Sequence, residues 1–239
     1  MVGDKFRIRF RKSGDLRLLS HHDLMRSFER MLRRAALPFR SSSGFHPKPR
    51  LVFPLSLPLG VAGLDEVVEL ELTEELPAEE VFSRLSAQSP AGLEFISIRR
   101  IPMNLTGQVS RALYRFPLPF ERLTDLADRC SALLARTECL VQRMHPQPGS
   151  VDIRPYILGL EVAADALLID LRVTSTGTAR ADEVLALLGL SDLLDAGAIL
   201  ERIQLQLHDE LAPSASPPNA AALLEVGAAA AEADDPPDC

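Results

Sequence analysis

A strict alternation of apolar and basic residues near the start of the chain is the feature that most constrains its fold. Residues 5–11 read Lys-Phe-Arg-Ile-Arg-Phe-Arg. Successive side chains of a β-strand point to opposite faces, so this period of two places Phe6, Ile8 and Phe10 on one face and arginines on the other. The segment is therefore predicted to be a half-buried strand with a basic outer face.

A basic helix is predicted after a turn at residues 12–15. Residues 20–23 read Ser-His-His-Asp, which is the spacing of a capping box at a helix start, and Pro38 stops the helix after about Ala36. One face of this helix carries the apolar residues Leu24, Phe28, Met31, Leu32 and Ala35. The other face carries the basic residues Arg26, Arg30, Arg33 and Arg34. These cations can follow the spaced phosphates of a nucleic acid, and a solvated helix face is the alternative interpretation.

The order of predicted elements indicates an α+β protein with two similar halves. Residues 1–104 give strand, helix, strand, strand, helix, strand, and residues 105–211 repeat that order without residue-level identity. This βαββαβ order is typical of ferredoxin-like domains, so we expect two ferredoxin-like halves, each with an open antiparallel sheet. Residues 212–239 are rich in alanine, proline and acids and lack any basic residue, which predicts a disordered acidic tail.

Charge is distributed unevenly along the chain. The net charge of −7 would by itself argue against a nucleic-acid partner. Residues 1–50, however, contain 13 Lys or Arg and 4 Asp or Glu, whereas the remainder contains 13 and 29. The front of the chain is therefore strongly basic and the rest is acidic, which directs attention to the first 50 residues.

Several classes of function are excluded by composition. The apolar runs fall far short of the roughly 20 residues that span a bilayer, and the first residues lack the apolar stretch of a secretory signal, so we expect a cytoplasmic protein without a membrane partner. Cys130, Cys139 and Cys239 show no metal-ligand spacing, which predicts neither a metal site nor a disulfide framework. Glycine motifs for nucleotides are missing, and we expect no cofactor.

A loop rich in glycine, proline and cations follows the basic helix. Residues 41–50 read Ser-Ser-Ser-Gly-Phe-His-Pro-Lys-Pro-Arg. Ser43 and Gly44 leave backbone N–H groups accessible to a phosphate or carboxylate, and the prolines hold Lys48 and Arg50 in an extended pose. The loop is therefore a candidate site for capturing an anion.

The ring side chains of this basic region suggest two further roles. Phe45 and His46 are candidates for stacking on RNA bases, although a Phe45 that plugs the core is the alternative. His21, His22 and His46 are the candidates for general acid–base catalysis, although exposed helix-start residues are the alternative for the first two.

Three motifs together resemble the radical-SAM-linked domain family, a bacterial domain of unknown function. They are Arg-Phe-Arg-Lys-Ser-Gly-Asp-Leu-Arg-Leu-Leu-Ser-His-His-Asp-Leu-Met-Arg, Ser-Ser-Gly-Phe-His-Pro-Lys-Pro-Arg and Pro-Leu-Gly. The resemblance extends over about residues 4–208 and is strongest over 5–72. A second anchor, Val-Asp-Ile-Arg-Pro-Tyr, lies at 151–156.

This resemblance implies a partner more than an activity. Members of the family occur fused to the C-terminus of radical S-adenosylmethionine proteins or as separate chains. The present chain lacks the Cys-x-x-x-Cys-x-x-Cys motif that holds a radical-SAM cluster, so it would be the accessory half. Its first half is also similar to the ferredoxin-like RNA-processing proteins of CRISPR systems, which is a likeness of fold.

We therefore expect a non-catalytic accessory module that binds RNA or presents a substrate to a radical-SAM or RNA-processing enzyme. The candidate RNA contacts are Arg26, Arg30, Arg33, Arg34, Ser43, Gly44, Phe45, His46, Lys48 and Arg50. A metal-independent endoribonuclease that uses His21, His22 or His46 is one alternative. The other is a docking module whose basic face binds an acidic protein.

Overall fold

Strands and short helices alternate along both halves of the chain. The computed structural model describes residues 3–43, 45, 47–144 and 148–210, so Gly44, His46 and the predicted tail at 212–239 lie outside the described residues. The first half contains β1 (Lys5–Lys12), α1 (His21–Arg34), β2 (Leu51–Val52), β3 (Ala62–Glu71), α2 (Ala78–Ser86) and β4 (Leu93–Ile101). The second contains β5 (Val109–Pro117), α3 (Leu126–Leu134), β6 (Leu140–Arg143), β7 (Gly149–Asp152), β8 (Ile157–Val162), β9 (Ala166–Thr174), β10 (Gly177–Thr178), α4 (Ala181–Leu187), α5 (Ser191–Asp195) and β11 (Glu201–Leu207).

One large sheet contains nine of these strands. Its order is β10-β9-β5-β11-β3-β1-β4, with β2 paired to β3 and β8 paired to β9, while β6 and β7 form a separate hairpin. Every pairing in the large sheet is antiparallel except that of β3 with β11. The prediction of an α+β fold with mostly antiparallel strands is therefore confirmed.

The two halves do not keep separate sheets, which corrects the sequence-based expectation. The strand β2 is two residues long and pairs only with Glu69 and Leu70, so the first part of β3 keeps a free edge. An unpaired edge leaves backbone N–H and C=O groups without partners, and β11 fills it by pairing in parallel with Ala62 and Gly63. The halves are thereby hydrogen-bonded into a single sheet.

The alternating strand and the basic helix form where the sequence predicts them. The apolar face of β1 is buried beneath α1, and Phe10 meets Phe28 edge to face with ring centroids 5.3 Å apart. The predicted cap is present, because the Ser20 hydroxyl accepts a hydrogen bond from the Asp23 N–H at 3.2 Å. The helix ends at Arg34, two residues before the predicted end.

The second sequence anchor, at residues 151–156, supports the fold of the second half. The Asp152 carboxylate accepts hydrogen bonds from the N–H groups of Cys139 and Arg154, at 2.7 and 3.0 Å. The Arg154 guanidinium donates to the carbonyl of Leu134, where α3 ends, and to that of Ile157, where β8 begins. This anchor therefore fastens a helix end to a strand start.

Within the described ranges, every helix is too short or too polar to cross a membrane.

Candidate anion-binding surface

The glycine- and proline-rich loop forms a hairpin-shaped projection that we call the basic hairpin (residues 40–50). At its base, the Arg50 N–H donates to the Arg40 carbonyl at 2.8 Å, and the Ser42 N–H donates to the Lys48 carbonyl at 2.8 Å. These bonds hold the two arms together. Ser43 lies exposed near the tip of the hairpin.

Phe45 lies at the tip of the basic hairpin and is fully exposed, at 102% of its reference area. The interpretation that Phe45 plugs the core is therefore wrong. The physical reason is the backbone pairing of the arms with each other, which holds Ser42 against Lys48 on either side of Phe45. The exposed ring of Phe45 is therefore accessible to another molecule.

The cations of the basic hairpin differ in their surroundings. Arg50 and Arg40 share the Glu71 carboxylate, at 3.2 and 3.7 Å, so part of the predicted charge of Arg50 is neutralised at the base of the hairpin. Lys48 is exposed and has no ion-pair partner in the part of the chain that the structure describes. Lys48 is thus the cation of the hairpin that is most available to a ligand.

The four predicted arginines of α1 all lie on its exposed side. Arg26 pairs with Asp23 at 3.2 Å, and Arg33 pairs with Glu29 at 2.9 Å. Exposed pairs of this kind contribute about 0–1 kcal/mol, so a phosphate can replace the carboxylate at little cost. Arg30 has no carboxylate partner among the described residues.

The helix and the basic hairpin adjoin one another. The Arg33 guanidinium lies over the Phe39 ring, 5.4 Å from its centroid, and Phe39 directly precedes the hairpin. Arg34 is held at the same end of the helix by hydrogen bonds to the side chain and carbonyl of Gln88, at 3.0 and 2.9 Å. The C-terminal end of the cationic face of α1 thus lies beside Phe39, next to the base of the hairpin.

His21 and His22 occupy different environments at the start of α1. His22 is exposed, whereas His21 is partly buried with its ring edge to face with Phe53, 5.2 Å between centroids. Burial, and then the nearby His22 and Lys12, lower the pKa of His21. The third candidate, His46, lies outside the described residues. His21 is therefore held mainly as a neutral imidazole at neutral pH.

The arginines of β1 do not join the cationic surface, although the sequence suggested a basic outer face. Arg7 is only 1% exposed as a side chain and pairs with Glu69 at 2.8 Å and with Asp209 at 2.7 Å. Arg9 pairs with Asp65 and Glu210. The outer face of β1 is neutralised by carboxylates, so the net charge of residues 1–50 overstates the basic surface.

A buried ion pair at the junction of the halves was not indicated by any local sequence pattern. Arg202 of β11 pairs with Glu66 of β3, its Nε donates to Oε1 at 2.7 Å, and both side chains are almost fully buried. Arg202 also donates to the carbonyls of Leu55 and Ser56, at 3.0 and 3.2 Å. This guanidinium lines a cleft of about 510 Å³ between the halves.

Metal and thiol chemistry receive little support from the described residues. Cys130 and Cys139 are buried free thiols, and burial raises the pKa of each. Across the residues that the structure describes, no cluster of three His, Cys, Asp or Glu side chains has a geometry that could hold a metal ion. The third cysteine, Cys239, falls beyond these residues.

Comparison with known proteins identifies one family. The family described as "Uncharacterized protein conserved in bacteria (DUF2344)" matches residues 5–183. The matched region includes β1, α1, the basic hairpin and the anchor at 151–156. No curated protein matches the chain.

Proposed function

The chain belongs to this family of conserved bacterial proteins, and we propose that it is an RNA-binding module. Its contact surface would combine the exposed arginines of α1 with the basic hairpin. Arginine and lysine side chains neutralise backbone phosphates, and an exposed ring stacks on unpaired bases. Single-stranded or looped RNA is therefore the class of ligand that this surface suits.

The full exposure of Phe45 carries the proposal. A phenylalanine that is fully exposed has no role in the core, and Phe45 lies in the same loop as the exposed Lys48. Base–aromatic stacking contributes about 1–3 kcal/mol per base, and it needs a ring that is accessible on at least one side. Charge alone would suit any polyanion, whereas the added ring favours a nucleic acid with unstacked bases.

The proposal is tested by measuring the affinity of a fluorescein-labelled single-stranded RNA by anisotropy. We expect Arg30→Glu with Arg33→Glu to weaken binding by about 100-fold at moderate salt, because two phosphate contacts become repulsive. Phe45→Ala should weaken binding about tenfold with little change in its salt dependence, because stacking is not a counterion effect.

The matched control is Arg136→Glu with Arg172→Glu, which makes the same change of charge on exposed arginines of the second half. This control should bind within about threefold of the wild type. Equal losses in both double variants would show a response to net charge alone and would contradict the proposed surface.

We also propose that the two halves are ferredoxin-like, divided near residue 104. The first half has the strand order β4-β1-β3-β2 and the second has β11-β5-β9-β8. When the four strands of each half are counted in chain order, both halves have the spatial order fourth, first, third, second. All these pairings are antiparallel. The shared order supports the proposal, as does the presence of helical segments after the first and the third of these strands in each half.

The working partner proposed for the module is a radical-SAM or RNA-processing enzyme. This part of the proposal rests on the sequence motifs, and the matched family description does not mention such an enzyme. In this view the chain holds or presents RNA while the partner supplies the chemistry.

A metal-independent endoribonuclease is the second candidate, and the environment of His21 favours it. A neutral imidazole near the cation of Lys12 can accept a proton from an RNA hydroxyl. Incubating the protein with labelled RNA and a chelator distinguishes the two functions. Cleavage that disappears in His21→Asn would replace the binding module by the enzyme, and intact RNA would support the module.

A further inference from the structure

Three arginines converge on the face of the sheet that lies opposite α1. Arg7 and Arg9 alternate along β1 with the apolar residues that pack beneath the helix. Arg99 lies on β4 and is the direct cross-strand neighbour of Arg7. Like charges that face each other across two strands repel, so this cluster requires anions.

The anions come partly from a short 3₁₀ turn at His208–Glu210, directly after β11. Asp209 accepts from Arg7 at 2.7 Å, and Glu210 accepts from Arg99 at 2.6 Å. Glu210 also accepts from Arg7 at 3.2 Å and from Arg9. Two adjacent carboxylates therefore occupy the space on which three guanidinium groups converge.

Arg7 and Arg9 each divide their donors between the sheet and the turn. The Nε and Nη2 atoms of Arg7 donate to Glu69, a buried residue of β3, whereas Nη1 donates to the turn. Arg9 likewise binds Asp65 with Nη1 and Glu210 with Nη2. The inner carboxylates, Glu69 and Asp65, both belong to β3, so the site would keep its shape if the turn moved away.

Within the part of the chain that the structure describes, the turn itself has few other attachments. The His208 N–H donates to the Gln108 carbonyl at 2.9 Å, and the carboxylates of Asp209 and Glu210 are 24% and 21% exposed. Burial acts to raise the pKa of Glu210, but Arg9, Arg99 and Arg7 outweigh burial and lower it. Glu210 is thus an ionised group that reaches the surface and imitates an anionic ligand.

We propose that the outer donors of Arg7, Arg9 and Arg99 form a second anion site, which binds the phosphodiester backbone of a single-stranded polyanion when Asp209 and Glu210 leave it. The carboxylate turn closes this site in the structure described. The inference concerns the sheet face opposite α1, so it stands or falls independently of the RNA surface proposed above.

The test removes the negative charges of the turn in a parent protein whose α1 surface carries substitutions that weaken RNA binding. In the Arg30→Glu, Arg33→Glu parent, adding Asp209→Asn and Glu210→Gln should lower the Kd for a short fluorescein-labelled oligouridylate by about tenfold. The dependence of Kd on salt should also become steeper, because additional phosphates release counterions.

Two further variants distinguish binding at this site from a general effect of net charge on the Kd. Glu121→Gln with Glu138→Gln removes two exposed carboxylates of the second half and should change the Kd by less than about twofold. Adding Arg99→Ala to the neutralised turn should return the Kd to that of the parent. A gain that survives Arg99→Ala would overturn the site, as would a folded turn variant without any gain.

A measurement on the wild-type chain covers the case in which the neutralised variant does not fold. Millimolar inorganic tripolyphosphate should compete with the turn and speed hydrogen exchange of the His208 amide by about tenfold. The amides of β1 should keep their protection, because Glu69 and Asp65 still hold the arginines. Unchanged exchange at His208 would overturn the proposal, and exchange accelerated equally throughout would show general destabilisation and overturn it as well.

Discussion

Lys12 and Arg202 show how contact with a carboxylate determines the direction in which the pKa of a buried cation shifts. Both side chains are about 1% exposed. Burial acts to lower the pKa of Arg202, but its contacts with Glu66 raise it overall. Lys12 donates its hydrogen bond to the Leu19 carbonyl instead, and burial lowers its pKa although Glu66 acts in the opposite direction. The bidentate contact with Glu66 therefore favours the charged form of Arg202, whereas Lys12, which lacks such a contact, loses its proton more readily than usual.

His21 should make the stability of the protein depend on pH. Burial lowers the pKa of His21 in the folded protein below the ordinary value near 6.5. Below about pH 6.5 the histidine of the unfolded chain therefore binds a proton more readily than that of the folded chain, which favours unfolding. Stability should therefore fall as the pH drops below about 6.5 and reach its full value above it. His21→Phe keeps a ring against Phe53 but cannot protonate, so the free energy of unfolding should depend less steeply on pH between about 5 and 7.

The matched control for this prediction is His22→Phe, which changes an exposed histidine of the same helix turn. Urea unfolding at a series of pH values measures both variants. A His21→Phe protein whose pH slope equals that of the wild type would contradict the assignment.

At the scale of single elements, the accuracy of sequence-based prediction follows the range of the contacts. Periodicity correctly predicted β1 and α1, because alternation and a Ser20 cap act within a few residues. The environment of the outer face of β1 was predicted wrongly, because Arg7 meets Glu69 and Asp209, which lie 62 and 202 positions away. Local patterns identify a charged face, whereas its neutralisation depends on the tertiary fold.

The basic hairpin was recognised as a loop, yet the sequence left open whether Phe45 is exposed for stacking or plugs the core. Glycine and proline mark an irregular segment, and this information is local. Whether the ring returns to the core depends on the pairing of the arms, including the bond between Arg50 and Arg40. The candidate residues were therefore found from composition, while the pairing of the arms and the exposure of Phe45 needed the structure.

The end of α3 should depend on the guanidinium of Arg154. Lysine cannot reach the carbonyls of Leu134 and Ile157 together, because it lacks the planar fork of donors. We expect Arg154→Lys to lower the free energy of unfolding by about 2–3 kcal/mol. Arg136→Lys, at an exposed position nearby, should change it by less than about 0.5 kcal/mol. Urea unfolding followed by far-ultraviolet circular dichroism gives both values, and equal effects would contradict the role of Arg154.

At the scale of the whole molecule, the sheet makes the two halves one structural unit. The parallel pairing of β3 with β11 joins their backbones, and the Arg202–Glu66 pair lies beside it. The hydrophobic core of the second half also includes Leu57, Val61 and Val67 from the first half. The order of elements was predictable, but this junction was not, because its partners are 136 residues apart.

We expect the halves to unfold together. Both tyrosines, Tyr114 and Tyr156, belong to the second half and the chain lacks tryptophan, so near-ultraviolet dichroism monitors the second half and far-ultraviolet dichroism the whole chain. The two signals should disappear at the same urea concentration. An earlier far-ultraviolet transition would show that the first half unfolds alone and would contradict the single unit.

The buried ion pair gives a second measure of the junction. Arg202→Ala leaves Glu66 buried and unpaired, so it should cost about 3–5 kcal/mol. Replacing both residues, as Glu66→Gln with Arg202→Met, should cost less than Arg202→Ala alone, because no unpaired charge remains. A double variant that is less stable than the single one would show that the pair itself drives the assembly of the sheet.

The contact between Arg7 and Asp209 has a consequence for synthesis on the ribosome. The two residues are 202 positions apart, so at about 5–20 residues per second the arginine emerges roughly 10–40 s before its partner. During that interval the first strand can pair with its neighbours while its outer guanidinium groups still lack the acidic turn. We expect the nascent chain to pass through a stage in which its arginine face is open to ribosomal and messenger RNA, until Asp209 and Glu210 emerge and pair with it.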